Sequence, residues 1–118
     1  MKKQLELVKA FHEKFKAPVL GFPSLIPADR SDLRHRLMKD EVQEYIEGIQ
    51  NGDLENVAKE LADILYAVFG TILEHGLQDK MEEIFEEVHN SNMSKDYDQY
   101  KMVKGPGYFK ADLKKFFN

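Results

Sequence analysis

The stretches RLMKDEVQEYIEGI (residues 36–49) and KELADILYAVFG (residues 59–70) decide the fold and carry an unusual acidic pattern. Each contains two carboxylates three positions apart, Glu41 and Glu44 in the first and Glu60 and Asp63 in the second. On a helix, residues three apart share a face, so each pair directs its oxygens the same way. If the two helices lie side by side, four carboxylates converge and repel one another unless a cation binds them. Because hard divalent cations prefer oxygen ligands, the pattern predicts a metal site.

Hydrophobic spacing predicts that the first stretch is a helix whose carboxylates face inward. At about 100° per residue, Glu41 falls inside the apolar stripe and Glu44 lies on its inward side. An ionised carboxylate on a buried face costs several kcal/mol unless it is paired or metal-bound. A metal site is therefore favoured over the alternative, an amphipathic helix with an irregular apolar face that binds no metal. The stripe consists of Leu33, Leu37, Met38, Val42, Tyr45, Ile46 and Ile49.

The second stretch is apolar nearly all round from Leu61 to Leu73, which predicts contacts on more than one side. One face is expected to be a core stripe of Leu54, Val57, Leu61, Ile64, Leu65, Val68 and Ile72. The other face combines Glu60 and Asp63 with the small residues Ala67, Gly70 and Thr71. Small side chains beside charged ones leave room for a neighbouring helix or a ligand, so we expect a cavity here. The all-round apolarity in a short chain also predicts a helical homo-oligomer.

Length and composition restrict the class of protein. A chain of 118 residues predicts one domain, residues 1–118, and 42% hydrophobic with 32% charged residues is typical of a soluble globular protein. The absence of cysteine excludes disulfides, a thiolate nucleophile and cysteine-ligated zinc. No apolar run is long enough for a bilayer and no signal-peptide pattern precedes the first helix. We therefore expect a cytoplasmic protein without a membrane partner.

Charge is distributed unevenly along the chain. Residues 95–118 hold six lysines and three aspartates, although the net charge of the whole chain is −4. An acidic body followed by a basic tail suits a ligand that is both metal-bound and anionic, such as a polyphosphate. Nucleic acid is not an expected partner, because there is no basic recognition helix and the net charge has the wrong sign.

Periodicity and stop signals predict four helices and no strand, hence an all-α fold. The expected helices are Lys3–Lys16, Ser31–Gly52, Asp53–Gly76 and Gln78–Asn90, followed by a loop and a short helix at Ala111–Phe117. Three prolines make residues 17–30 a loop. We expect a four-helix bundle that oligomerisation completes. The other inward residues are Leu5, Val8, His12 and Phe15 in the first helix and Met81, Ile84, Phe85 and Val88 in the fourth.

The motifs resemble a known family. DEVQE (residues 40–44) followed by ELAD (residues 60–63) is similar to the EExxE–spacer–ExxD signature of MazG-type all-α nucleotide pyrophosphohydrolases. The phosphoribosyl-ATP-pyrophosphohydrolase-like branch is matched in particular, over His12–Leu113. The segments that carry this closer resemblance are LRHRLMKDE (33–41), DILYAVFG (63–70), VHNSNMSK (88–95) and KGPGYFKADL (104–113).

The resemblance implies hydrolysis of nucleoside triphosphates, often deoxy or non-standard ones, to a monophosphate and pyrophosphate by dimers or tetramers. It implies Mg²⁺, with Mn²⁺ as a substitute, held by Glu41, Glu44, Glu60 and Asp63. Asp40 stands where the family has glutamate. Asp40 and Glu41 are the candidate catalytic residues, because a carboxylate beside the metal orients the attacking water. Asp40 is equally a candidate for holding an additional metal.

Six further residues are candidates for substrate binding, each with a structural alternative. Lys95, Lys104 and Arg34 would meet the phosphates, whereas isolated lysines are more often surface residues. Asn92, one turn after Val88, would point inward to a base or ribose, or would cap the helix. Tyr108 would stack on the base or anchor the tail. His12 would line the base pocket or pack in the core.

Three rival functions use the same residues differently. Phosphoribosyl-ATP is the alternative substrate on the same fold, and a non-catalytic helical nucleotide-binding or interaction protein is the alternative class. A di-iron carboxylate bundle is disfavoured, because Glu86 and His89 form one ExxH pair and that architecture needs two.

Overall fold

The computed structural model describes residues 1–98 and 101–117 and confirms a mostly helical chain. Its helices are α1 (Lys2–Phe15), α2 (Ala28–Gln50), α3 (Leu54–Glu74) and α4 (Met81–Met93). Two short strands, β1 (Asp96–Asp98) and β2 (Lys101–Val103), and one 3-10 turn, Lys114–Phe116, follow. The described chain separates into two compact units, Met1–Gln78 and the residues from Asp79 onward. A single domain over residues 1–118 stays a prediction.

A tight turn makes α2 and α3 antiparallel neighbours. Gly52 has a positive φ of 64°, and its N–H donates to the Ile49 carbonyl at 3.0 Å. The Asp53 carboxylate then caps α3 by accepting the Asn56 N–H at 3.1 Å. The expected stop at Gly52 and start by Asp53 are therefore confirmed, and they align the two helices that carry the carboxylates.

The proline-rich segment that follows α1 is bound to the C-terminal end of α3. Backbone N–H groups of Leu20 and Ser24 donate to the carbonyls of Leu73 and His75 at 3.0 and 2.9 Å. Gly76 has a positive φ of 67°, and a Cβ there would clash with the Phe22 carbonyl. This strap, residues 17–27, holds α1 against α3, where Leu5, Val8 and His12 are buried.

The apolar stripes predicted for α2 and α3 are only partly buried, which corrects part of the predicted core: Ile72 is buried as expected, whereas one flank of each stripe is exposed. The reason is that α3 turns its other face, with Glu60, Ala67 and Gly70, toward its neighbours inside the chain. Small residues there allow close helix approach. The large side chains on the opposite flank, 42–81% exposed, form an exposed apolar face of Val42, Ile46, Ile49, Leu54, Leu61 and Leu65.

Several helix boundaries and orientations also differ from expectation. Helix α2 begins at Ala28, directly after the cap residue Pro27, because a proline fits at a helix start. Phe15, Phe85 and Val88 are exposed, although they were expected to face inward. The expected final helix is reduced to the 3-10 turn.

The second unit contains an antiparallel hairpin that was not expected. Tyr97 pairs with Met102, and the residues of both strands are mostly exposed, so no buried alternation marks them in the sequence. Ser91 donates its hydroxyl to the Phe109 carbonyl at 2.8 Å, and the Phe109 N–H donates to Ser94 at 3.0 Å. The two serines of the VHNSNMSK segment thus hold the KGPGYF segment against α4. Among the described helices, none has the length and hydropathy needed to cross a bilayer.

Candidate metal centre and adjoining cavity

The two carboxylate pairs meet as the helical spacing predicts. Glu41 and Glu44 project from α2 and Glu60 and Asp63 from α3, and one oxygen of each lies within 4.8 Å of the others. We call these four residues the acidic cluster. The antiparallel turn at Gly52 is what aligns the two pairs, because it places the middle of α2 opposite the first half of α3.

Burial distinguishes the four carboxylates. Glu60 is only 5% exposed, Glu41 and Asp63 are half-buried, and Glu44 is exposed instead of inward-facing. One oxygen of Glu41 and one of Glu60, Oε2 in both, are buried and lack a hydrogen-bond partner in the described part of the chain. Such atoms are costly unless a ligand satisfies them. An all-oxygen set of four carboxylates fits a hard divalent cation, so the cluster could hold one.

The pKa of Glu60 is raised above its ordinary value. Burial raises the pKa of Glu60, and the neighbouring Glu44 carboxyl raises it further. Lys59 opposes both effects. Its Nζ lies 2.7 Å from Asp63 Oδ2 and 3.6 Å from Glu60 Oε1, and these contacts raise the pKa of Lys59.

A cavity of about 240 Å³ adjoins the acidic cluster. Glu41 and Asp63 line one part of it, and the rings of Phe11 and Tyr66 line another, with their centroids 5.4 Å apart and nearly perpendicular. His12 and Arg34 complete its polar lining. The cavity thus combines aromatic surfaces with a few polar groups, as small-molecule sites do.

The hydrogen bond of His12 fixes what its ring offers to the cavity. His12 is 2% exposed, and its Nδ1 lies 3.0 Å from the Pro18 carbonyl oxygen. Because a carbonyl can only accept, Nδ1 must carry the proton, and Nε2 of the neutral ring is an acceptor. The inward position expected for His12 is confirmed.

Arg34 is anchored by a buried network that the sequence analysis missed. Its Nη1 lies 3.1 Å from Glu74 Oε2, its Nη2 donates to the Ala67 carbonyl at 2.8 Å, and its Nε donates to Thr71 at 3.1 Å. Arg30 donates to both oxygens of Glu74, at 2.9 and 2.8 Å. Glu74 raises the pKa of Arg30, while burial lowers that of Arg34. Within the described residues, the other two of the five guanidinium N–H groups of Arg34 have no partner.

The remaining candidates differ in exposure and local contacts. Asp40 is exposed, next to Glu41, and is not one of the four clustered residues. Asn92 is exposed, and Ser91 is buried in its place, so the inward orientation predicted for Asn92 is wrong. Lys104 lies 5.3 Å above the Tyr108 ring. Lys95 is half-buried. Asn92, Lys95, Lys104 and Tyr108 belong to the second unit, and their roles in substrate binding stay predictions, as does the catalytic role of Asp40.

Comparison with known proteins places this site in a family. No curated protein matches the chain. A family model described as phosphoribosyl-ATP pyrophosphohydrolase matches residues 8–92, which include the acidic cluster, His12 and Arg34. The match covers more than two thirds of the 118 residues. The chain therefore belongs to the phosphoribosyl-ATP pyrophosphohydrolase family and is a pyrophosphohydrolase, a hydrolase acting on acid anhydrides.

Proposed function

We propose that the protein hydrolyses a nucleoside triphosphate to the monophosphate and pyrophosphate, with Mg²⁺ or Mn²⁺ held by Glu41, Glu44, Glu60 and Asp63. The observation that carries this proposal is the pair of buried, unpartnered carboxylate oxygens in the acidic cluster, beside a cavity with aromatic walls. Membership of a pyrophosphohydrolase family supports the reaction class.

Phosphoanhydride cleavage requires charge neutralisation and in-line positioning of water more than covalent chemistry by the protein. A bound divalent cation supplies the neutralisation and favours deprotonation of water. The chain contributes the oxygens that hold the cation. Glu41, with Oε2 still unpartnered, and the adjacent Asp40 are suited to accept a hydrogen bond from the attacking water and orient it.

The cavity is the proposed site of the base. Its volume of about 240 Å³ lies below the range of about 300–1,000 Å³ usual for drug-sized ligands, so it suits one ring system. Phe11 and Tyr66 offer ring surfaces, and Nε2 of His12 can accept an N–H of the base. Arg34 can donate its two remaining N–H groups to a ligand oxygen. Deoxy or non-standard nucleotides are the expected substrates, as the resemblance implies.

Four residues of the second unit are proposed to complete substrate binding. The positive charges of Lys95 and Lys104 would attract the phosphates. Asn92, exposed on α4, carries an amide that can donate to and accept from a base or ribose. Tyr108 would stack on the base, with its ring already in contact with a cation, Lys104. Alanine variants that raise KM while leaving kcat unchanged would support binding roles, since uniform binding affects KM alone.

A second candidate substrate is phosphoribosyl-ATP, which the family match favours. The same acidic cluster would serve that reaction, because it also separates pyrophosphate from a nucleotide. The extra ribose phosphate of that substrate would have to lie outside a cavity sized for one base.

The exposed apolar face supports assembly as a homodimer or homotetramer. Helical spacing places Val42, Ile46 and Ile49 on one flank of α2, and Leu61 and Leu65 on the flank of antiparallel α3 that lies on the same side. Contiguous apolar surfaces of this kind mark interaction sites, and most soluble oligomers are symmetric homo-oligomers. The carboxylates lie toward the opposite flanks of both helices, so assembly leaves them accessible.

Pyrophosphate release tests the proposed function. The panel contains canonical, deoxy and modified nucleoside triphosphates and phosphoribosyl-ATP, each assayed with Mg²⁺, with Mn²⁺ and with EDTA. Metal-dependent release from one class is expected and names the substrate. Glu44→Gln should abolish turnover, whereas Glu47→Gln, on the solvated face of α2, should not. No release from any substrate by folded, metal-loaded protein would favour a non-catalytic nucleotide-binding protein.

A further inference from the structure

One basic side chain is in direct contact with the acidic cluster. Lys59 precedes Glu60 on α3, and its Nζ lies 2.7 Å from Asp63 Oδ2 and 3.6 Å from Glu60 Oε1. The side chain is 66% exposed, so it can leave these contacts without disturbing the packing of α3.

The contacts of Lys59 involve two of the four carboxylates that a cation would need. An ammonium hydrogen bond at 2.7 Å to Asp63 Oδ2 engages a carboxylate of the four-residue set. A second positive charge this close also repels an incoming divalent cation, and the repulsion falls only with distance and ionic strength. Competition for the oxygens and repulsion between charges act in the same direction.

We propose that Lys59 competes with the divalent cation for Asp63 and Glu60, and so sets the metal affinity of the site below the value that four carboxylates alone would give. Cation binding displaces the ammonium, which swings into solvent on its flexible stem. This inference rests on the proposed function, because it requires the acidic cluster to be a metal site. It concerns how tightly the site holds its metal.

The test is Mn²⁺ binding in the absence of nucleotide, followed by the electron paramagnetic resonance signal of free Mn²⁺. Lys59→Gln should lower the Kd about threefold to tenfold, from the loss of one nearby positive charge. Lys59→Arg keeps the charge and should stay closer to the wild-type value. The matched control is Lys9→Gln, which removes the same charge from another i,i+4 pair, Lys9–Glu13 at 3.9 Å on α1. Its Kd should change less than twofold.

The outcomes separate this inference from the proposed function. If wild-type protein binds Mn²⁺ and Asp63→Asn weakens binding, the metal site stands. In that case an unchanged or raised Kd in Lys59→Gln overturns the role of Lys59 alone. Failure of the wild-type protein to bind Mn²⁺ overturns the metal site and this inference together. Circular dichroism of each variant verifies that it is folded before binding is compared.

Discussion

Helices α2 and α3 bury acidic groups at two places, and the two places treat them in opposite ways. Glu74 is 1% exposed, and both its oxygens accept hydrogen bonds from Arg30, with Arg34 alongside. In the acidic cluster, Glu60 is 5% exposed, and one of its oxygens has no partner in the described residues. The same helix pair therefore compensates one buried carboxylate and leaves the other with an oxygen that a cation could satisfy. Removing Glu74 should therefore destabilise the fold, whereas removing Glu60 should not.

The largest expected effect comes from removing the charge of Glu60 in the acidic cluster. Glu60→Gln should lower turnover about 10³-fold or more, because metal binding loses a charged ligand. The same change should leave the melting temperature in EDTA equal or higher, because it removes a buried repulsive charge. Pyrophosphate release and thermal unfolding measure the two effects, with Glu47→Gln as the control. Turnover of Glu60→Gln within tenfold of wild type would contradict the proposal that Glu60 is a metal ligand.

A glutamate-to-glutamine substitution at Glu74 should, in contrast, destabilise the fold. Glu74→Gln leaves Arg30 and Arg34 without their counter-charge and should cost about 3 kcal/mol of unfolding free energy. Urea unfolding at fixed protein concentration measures it. The control is Glu13→Gln, which breaks the exposed pair with Lys9 and should cost less than about 0.5 kcal/mol. Equal losses of unfolding free energy in Glu74→Gln and Glu13→Gln would show that burial does not make the Glu74 ion pairs more stabilising than the exposed one.

Gly70 lies where His12 and Arg34 approach α3, so it tests how tightly the compensated network is packed. A Cβ at residue 70 would lie 2.5 Å from Arg34 Nη2 and 2.8 Å from His12 Nε2. Gly70→Ala should therefore cost about 1–3 kcal/mol by overpacking. Gly21→Ala, with nothing within 4 Å of its Cβ, is the matched control. A loss no larger than that of the control in urea unfolding would mean that both side chains move away freely.

The smallest expected effect concerns Glu87, a half-buried acid whose charge is compensated by its neighbours. The Asp112 N–H and Lys115 lower the pKa of Glu87 below its ordinary value of 4.5. A lowered folded-state pKa means that the stabilisation is complete above pH 4.5 and is lost as pH falls through the folded value. The chemical shift of the Glu87 side-chain carboxyl carbon should titrate with a midpoint below 4.5, and Lys115→Gln, which removes the contact at 2.9 Å, should move that midpoint upward. A midpoint at or above 4.5 would contradict the assignment.

Local spacing was sufficient to predict the acidic cluster. Two i,i+3 carboxylate pairs and a turn at Gly52 place Glu41, Glu44, Glu60 and Asp63 together without knowledge of any other contact. Membership of the family followed from the same motifs. His12 was also predicted to face inward, because Leu5 and Val8 share its helical face.

Long-range partners were not predictable in the same way. Arg30 and Glu74 are 44 residues apart, and neither is distinctive in its local sequence. A helical pattern shows which residues are apolar but not which neighbour covers them, so Val42 and Leu61 were placed in the core although they are exposed. The hairpin of Tyr97 and Met102 has no buried side to reveal its period. In each case the information lies in the tertiary arrangement.

The strap of residues 17–27 has a consequence for how the protein can be trimmed or engineered. Its three prolines give it the composition of a flexible linker. Its backbone is nevertheless hydrogen-bonded to the C-terminal end of α3 through the N–H groups of Leu20 and Ser24. A side chain at Gly76 would clash with the strap at Phe22. A protease should find few flexible bonds there, although side chains such as Leu25 are exposed. Shortening the strap would release α1 and, with it, one wall of the cavity, so a truncated variant could lose substrate recognition while keeping every carboxylate.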